Sequence, residues 1–227
     1  MVSFMDKKLL RQALFKFFGG LVGVALLVFL PAGTLRFWYG WLLMLVLFVP
    51  MLAAGFLMLF KSPELLRRRL NAREREGEQK TVILLSGLMF VGAFVLAGLN
   101  YRFSWLLLPK WASLLAAAVF LLGYALFGEV LRENVWLSRT VEVQEGQKVV
   151  DKGLYGIVRH PMYAATVLMF LAMPLILGSP LSFLLLLIYP LLLRKRIRNE
   201  EELLESELEG YTEYKKRVRW KVLPYIW

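Results

Sequence analysis

The sequence predicts an all-α integral membrane protein. It would have four transmembrane helices and then a C-terminal transmembrane or re-entrant helical hairpin, five to six membrane segments in all. Three observations carry this. The chain has 227 residues, of which 59% are hydrophobic and 20% charged, against about 45–50% and about 25% for a soluble domain. Its apolar residues are gathered into runs long enough to cross a bilayer, which takes about 20 residues as a helix. Its 28 Lys and Arg sit between those runs and mostly in alternate loops. The formal charge of +11 therefore points to an anionic membrane surface, with no nucleic acid implied.

The first apolar run is Phe15 to Leu30, ended by a turn at Pro31 and Gly33 and followed by the aromatic Phe37, Trp38 and Tyr39. No small-residue cleavage site follows it, so it reads as a retained helix. The second run, Trp38 to Phe60, is uncharged, the third is Thr81 to Leu99, and the fourth is Ser104 to Phe127 with Lys110 near its outer end. Gly19 with Gly23, and Ala93 with Ala97, have the spacing of close helix contacts. The whole chain, 1–227, reads as one domain. Residues 1–130 hold the four spans, and 131–227 hold a polar loop, the hairpin and a C-terminal helix.

The last run, Met162 to Leu193, is interrupted at Pro174, Gly178, Ser179 and Pro180. At about 1.5 Å per residue its two limbs measure about 24 and about 20 Å, short of a hydrocarbon core about 30 Å thick. A short hairpin is the primary reading and one kinked helix the alternative. Charge favours the hairpin. Four basic residues lie before or at the very start of the first run, seven separate the second from the third, five precede the last run and nine follow it. A hairpin puts 25 of the 28 on one side, with both termini cytosolic under the positive-inside rule. The host membrane would be the cell membrane of a prokaryote or the endoplasmic reticulum of a eukaryote.

With no Cys and one His, thiol nucleophiles, Cys metal sites and His clusters are excluded, and no metal site is expected. The polar residues that remain fall in two stretches. In the loop, Arg159-His160-Pro161 leads directly into an apolar helix. Proline suits a first helical turn, and the N–H groups of Met162 and Tyr163 at such a start attract an anion. A plain reading also fits: Arg159 and His160 snorkel to head groups while Tyr163 joins an aromatic belt. In the tail, Ile197, Glu201, Leu204 and Leu208 share one helical stripe and Arg196, Glu200 and Leu203 another, with Gly210 as a stop. The Arg196–Glu200 and Arg198–Glu202 spacings allow ion pairs, as on any amphipathic surface helix. A hairpin, however, makes its two ends neighbours. His160 to Tyr163 would then face Arg196 to Glu201, and polar groups converging at membrane depth mark a functional site.

These residues carry a resemblance. Gly153-x-Tyr155-x-x-Val158-Arg159-His160-Pro161-x-Tyr163 resembles the signature of the isoprenylcysteine carboxyl methyltransferases, which related membrane phospholipid methyltransferases share. Arg196-Ile-x-x-Glu200-Glu201 and Gly210-Tyr-x-x-Tyr214-Lys-Lys-Arg217-Val218, then Pro224, look like the second half of the same pattern. The resemblance covers about a third of the chain. It implies S-adenosylmethionine in a cytosolic cofactor pocket and methyl transfer to the carboxylate of a prenylated cysteine or similar lipid-linked acceptor. Carried over by motif position, the implied cofactor contacts are Gln144, Gln147, Lys148, Val149, Val150, Tyr155, His160, Pro161, Met162, Tyr163 and Glu200, with Glu201 the close second to Glu200. Arg196 is the implied catalytic residue facing the acceptor. Two departures bear on pocket geometry. Ala164 and Ala165 follow Tyr163 where many members carry a Gly, and Gln147 stands where several have His.

The chemistry is consistent with that resemblance. A carboxylate acceptor is already ionised at pH 7, so no general base is required, and alignment with exclusion of water does the work. Arg196 suits a two-pronged hold on a carboxylate. A phospholipid amine acceptor would need a base, for which Glu201 or Tyr163 is available. A membrane reductase using a nicotinamide cofactor is a third reading, although no Gly-rich dinucleotide loop is present. A non-catalytic scaffold for anionic lipid is the fourth. Membrane lipids are partners under all four, and the sequence leaves the oligomeric state open.

Overall fold

The computed structural model describes residues 7–70, 77–138 and 142–227. Among them every regular element is helical. Arg73, Arg75 and Arg139, which enter the loop-charge count, and Thr140 of the polar loop lie outside the described residues. The helices are α1 (Lys7–Ala32), α2 (Trp38–Lys61), α3 (Pro63–Leu70), α4 (Gly77–Phe103), α5 (Lys110–Glu133), α6 (Pro161–Ile176), α7 (Pro180–Leu186), α8 (Tyr189–Glu207) and α9 (Tyr211–Arg217). Four of them, α1, α2, α4 (over Thr81–Phe103) and α5, are long and apolar enough to cross a membrane. Phe15, Leu30, Phe60, Leu84, Leu115 and Leu122 all stand more than half exposed on their outer faces. So much exposed apolar surface is far beyond what a soluble monomer carries, and the chain is an integral membrane protein.

Small residues let the helices meet. A Cβ on Gly98 of α4 would fall 2.7 Å from the Val28 carbonyl of α1, and one on Gly123 of α5 would fall 2.6 Å from Met169 of α6. Ala93, Ala97, Ala116, Ala117, Ala165 and Ala172 are all buried along the same seams. Ala93 and Ala97 are both buried as expected, but Ala93 packs in the cluster of Tyr163, Leu186 and Leu193 and Ala97 in that of Val28 and Phe29. Gly19 and Gly23 make no close contact, since a Cβ on either would meet nothing within 4 Å.

The fourth span starts at Lys110, not at Ser104. Asn100, fully buried, closes the preceding loop by donating to the Leu106 carbonyl at 2.8 Å and accepting from its N–H at 3.1 Å. Pro109 then forms the helix cap. Lys110 is the first residue of α5, with its ammonium 5.7 Å from the Trp38 ring.

The last apolar run is a hairpin. Its turn is built on Gly178 at φ +69°, a left-handed conformation that glycine adopts freely, with the Tyr39 ring 3.0 Å from where a Cβ would be. The Gly178 carbonyl accepts from Leu108 N–H at 3.0 Å, and Ser113 Oγ donates to the Leu175 carbonyl at 2.8 Å. The turn is therefore level with the starts of α2 and α5. Ser179 caps α7, its Oγ accepting from Ser182 N–H. The return limb, expected as one helix over Leu181–Leu193, is broken into α7 and α8. Pro190 has no N–H to give the Leu186 carbonyl, so the helix closes at Leu186 and restarts. From Tyr189 it runs unbroken into the charged tail as far as Glu207, which fixes Arg196, Glu200 and Glu201 rigidly to the hairpin.

Candidate functional site

The polar loop and the tail are knitted together at the open end of the hairpin. Arg159 N–H donates to the Trp220 carbonyl at 2.9 Å and His160 N–H to the Lys221 carbonyl at 2.8 Å, a short extended pairing just before α6. The Arg159 guanidinium, 6% exposed, donates to Glu201 Oε1 at 2.7 Å and to the Val218 and Arg219 carbonyls at 2.7 and 2.8 Å. Glu201, 3% exposed, also has His160 Nε2 at 3.1 Å and Lys221 Nζ at 2.9 Å. Burial pushes its carboxyl pKa up, but the hydrogen bonds from His160, Arg159 and Lys221 outweigh that and hold it well below the usual carboxylate range. Arg159 and Glu201 thus work inside the fold and are not spent on head groups. Lone buried charges are costly, and this one is paired on several sides.

Glu200 points the other way. Its Oε2 accepts from the Tyr163 hydroxyl, which in turn accepts from Arg196 Nε at 3.1 Å. His160 Nδ1 is 4.0 Å from Glu200 Oε1. The single His therefore stands between the two carboxylates, and adjacent residues of α8 face opposite environments.

The loop is shaped by its own contacts. Gly153, at φ +58°, has Glu133 Oε1 where a Cβ would be, 1.9 Å away, and Glu133 Oε2 accepts from Leu154 N–H at 2.9 Å. Tyr155 follows in a 3₁₀ turn over Gly153–Gly156. Its hydroxyl accepts from Asn134 Nδ2 at 2.9 Å, and its carbonyl accepts from the Tyr214 hydroxyl at 2.8 Å. Burial pushes the Tyr155, Tyr211 and Tyr214 phenols up, so all three keep their protons at neutral pH.

Two cavities meet here. The first is a polar cleft lined by Asn134, Trp136, Gln147, Lys148, Val149, Val150, Tyr155, His160, Met162, Tyr163, Arg196, Glu200, Leu204, Leu208, Tyr211 and Tyr214 among others. The second is a cavity of about 520 Å³ inside the helix bundle, lined largely by apolar side chains such as Val82, Phe90, Phe120, Phe127, Met169, Phe170 and Tyr189. Ser138, Met162, Tyr163 and Arg196 border both.

Of the residues expected at the site, Gln147, Lys148, Val149, Val150, Tyr155, His160, Met162, Tyr163, Arg196 and Glu200 line the cleft. Gln144, Pro161 and Glu201 are not on its wall. Gln144 holds the loop instead, donating to the Trp136 carbonyl at 2.6 Å and, through its N–H, to Gln147 Oε1 at 2.9 Å. Pro161 starts α6. The helix start is also less open to an anion than its sequence suggests, because Tyr163 N–H is bonded to the His160 carbonyl at 3.0 Å. Asn134, Trp136, Tyr211 and Tyr214 line the cleft without having been singled out as contacts. The tyrosines were visible in the Gly210-Tyr-x-x-Tyr214 motif, whereas nothing local marks Asn134 or Trp136. Among the described residues no group of His, Cys, Asp or Glu is placed to hold a metal ion.

The sequence model of the isoprenylcysteine carboxyl methyltransferase (ICMT) family matches residues 114–206. The match covers less than half of the chain. It takes in every expected site residue from Gln144 to Glu201 and ends before Tyr211. The chain is also similar to curated Delta(14)-sterol reductases. It is 25% identical over 135 residues to one from Methylotuvimicrobium alcaliphilum, covering 53% of this chain and 32% of that protein. It is 33% identical over 93 residues to the Mus musculus protein TM7SF2, covering 39% and 22%. The chain thus spans about a third or less of the length of these relatives. A solved structure of the eukaryotic intramembrane Ras methyltransferase ICMT aligns with 83% of this chain and 74% of its own, at 19% identity and a TM-score of 0.47.

Proposed function

We propose that the protein is a membrane methyltransferase. It would bind S-adenosylmethionine in the polar cleft and methylate the carboxylate of a prenylcysteine or similar lipid-linked acceptor held in the bundle cavity. The observation that carries this reading is the meeting of a polar cleft and an apolar cavity at Arg196, Tyr163 and Met162. A reaction between a water-soluble donor and a membrane-soluble acceptor needs two such compartments and one shared wall.

The donor set suits this cofactor. Glu200 supplies a carboxylate for an ammonium or for sugar hydroxyls, and Val149, Leu204 and Leu208 supply apolar surface for a purine. Bound S-adenosylmethionine supplies an electrophilic methyl group on a sulfonium. The chain's own residues hold and align. Arg196, braced by the Tyr163 hydroxyl, holds the acceptor carboxylate at the shared wall. The apolar cavity takes the tail and keeps water from the reacting oxygen. An ionised carboxylate needs no base, so Tyr163 serves to fix Arg196 and Glu200 relative to one another. The basic end of the bundle faces the cytosol in this reading. An impermeant reagent applied from outside should label a Cys placed at Arg102 and spare one placed at Arg68.

The test is calorimetric binding of S-adenosylhomocysteine to the detergent-purified protein, followed by methyl transfer to prenylcysteine acids and to phospholipid amines. Similarity to the sterol reductases favours a second reading, a reductase using a nicotinamide cofactor, so a reduced nicotinamide dinucleotide belongs in the same titration. Micromolar binding of S-adenosylhomocysteine alone supports the methyltransferase; binding of the dinucleotide alone overturns it.

A further inference from the structure

We infer that the Tyr211 hydroxyl is a cofactor contact in the polar cleft, hydrogen-bonding the sugar hydroxyls of an adenosine-containing ligand. This rests on the proposed methyltransferase reading and assigns a residue beyond the family-matched stretch. Tyr211 lines the cleft and is 4% exposed, and its hydroxyl, closed off from solvent, has no hydrogen-bond partner among the described residues. Such a group is costly when left unsatisfied, and unmatched buried polar atoms are rare in folded proteins. The neighbouring tyrosines make the contrast plain, because the Tyr155 and Tyr214 hydroxyls are both engaged. A ligand in the cleft that Tyr211 lines would supply the missing partner.

Its position selects the part of the ligand. The Tyr211 ring belongs to an apolar cluster with Leu208, Tyr214, Val149 and Leu204, a surface suited to a purine. Its phenol feels the charges of Glu201 and Glu200, the latter on the cleft wall. A sugar that joins a purine to a charged chain falls at that junction. One ribose hydroxyl would donate to Glu200 while its neighbour accepts from Tyr211, a division of labour suited to a vicinal diol. Burial keeps the phenol protonated and thus a donor.

The experiment compares wild type and Tyr211→Phe in binding S-adenosylhomocysteine and its 2′,3′-dideoxyribose analogue, with thermal unfolding of the unliganded proteins alongside. Wild type should lose affinity for the analogue. Tyr211→Phe should bind the natural ligand about 10-fold more weakly, the scale of one lost hydrogen bond. It should lose less than wild type when the hydroxyls are removed. Its unliganded unfolding temperature should be unchanged or raised, since an unmatched buried hydroxyl has gone. Equal affinity of wild type and variant for S-adenosylhomocysteine overturns the contact and leaves the methyltransferase reading standing. So does a wild type indifferent to loss of the sugar hydroxyls, or an equal loss in both proteins. If wild type binds only a reduced nicotinamide dinucleotide, the methyltransferase reading falls, and weaker binding of that ligand by Tyr211→Phe sustains the contact while equal binding overturns it. If wild type binds neither, both fall.

Discussion

The two sides of α8 at Glu200 and Glu201 differ by one residue in sequence and by almost everything in environment. Glu201 is sealed in and paired with Arg159, His160 and Lys221. Glu200 opens onto the polar cleft and reaches Arg196 only through the Tyr163 hydroxyl. Two carboxylates that look interchangeable in the sequence therefore divide into one that holds the tail on the bundle and one that faces the polar cleft. A helix places consecutive residues about 100° apart, so a paired acidic motif on a half-buried helix splits its duties.

The sharpest way to break this contrast is to remove the internal pair. Arg159→Ala leaves Glu201 short of its main partner, and breaking such a pair typically costs about 3–5 kcal/mol. A large fall in the detergent unfolding temperature is expected, with faster proteolysis near Val218, and ligand binding should be lost with the tail. An intact tail in that variant would refute the structural role. Arg196→Ala should instead leave stability intact and cut turnover about 10- to 100-fold by removing charge-assisted hydrogen bonds to the acceptor. Its affinity for S-adenosylhomocysteine should change little, and Arg196→Lys should restore only part of the rate because the forked geometry is missing. Weaker cofactor binding with unchanged turnover would reverse the assignment.

Glu200→Gln should weaken S-adenosylhomocysteine binding about 10-fold with little effect on unfolding, the opposite profile to Arg159→Ala. The pH dependence sharpens the same difference. The Glu201 carboxyl has a folded-state pKa below its ordinary 4.5. Its stabilisation is therefore fully present above about pH 4.5 and is lost progressively as pH falls from there through the depressed value. Tail docking, followed by limited proteolysis, should persist down to about pH 4.5 and weaken below it. The smallest effect is expected in the apolar cavity, where Ser86 is a small residue on the wall. Ser86→Phe should raise KM a few-fold for long-tailed acceptors and spare short-tailed ones. Equal effects on both would argue that the tail does not occupy this space.

Much of this was legible in the chain. Four spans, the hairpin and the amphipathic tail follow from run lengths and from where Lys and Arg fall, because a bilayer constrains composition along the sequence more strongly than a soluble core does. Breaks were harder to read. Pro190 splits the return limb although the apolar run continues through it, and the Asn100 side chain, with Pro109, moves the start of α5 from Ser104 to Lys110. The site was read at the level of motif. His160, Tyr163, Arg196 and Glu200 do converge, while Gln144, Pro161 and Glu201 support the wall from behind it. Asn134 and Trp136 carried no periodic or motif signal.

The sequence alone determined that the chain is helical, lives in a membrane and gathers its polar chemistry at the basic end, because those properties are sums over local composition and spacing. The tertiary structure decided what each polar residue is for. Arg159 could have faced lipid and Glu201 a ligand, and nothing in their local sequence forbids either. Pairing of the 159–160 backbone with 220–221 buries both, and burial then obliges each charge to find the other. The same folding step leaves Glu200 and Tyr211 on the cleft wall, and long-range contacts of this kind are invisible to any pattern read along the chain.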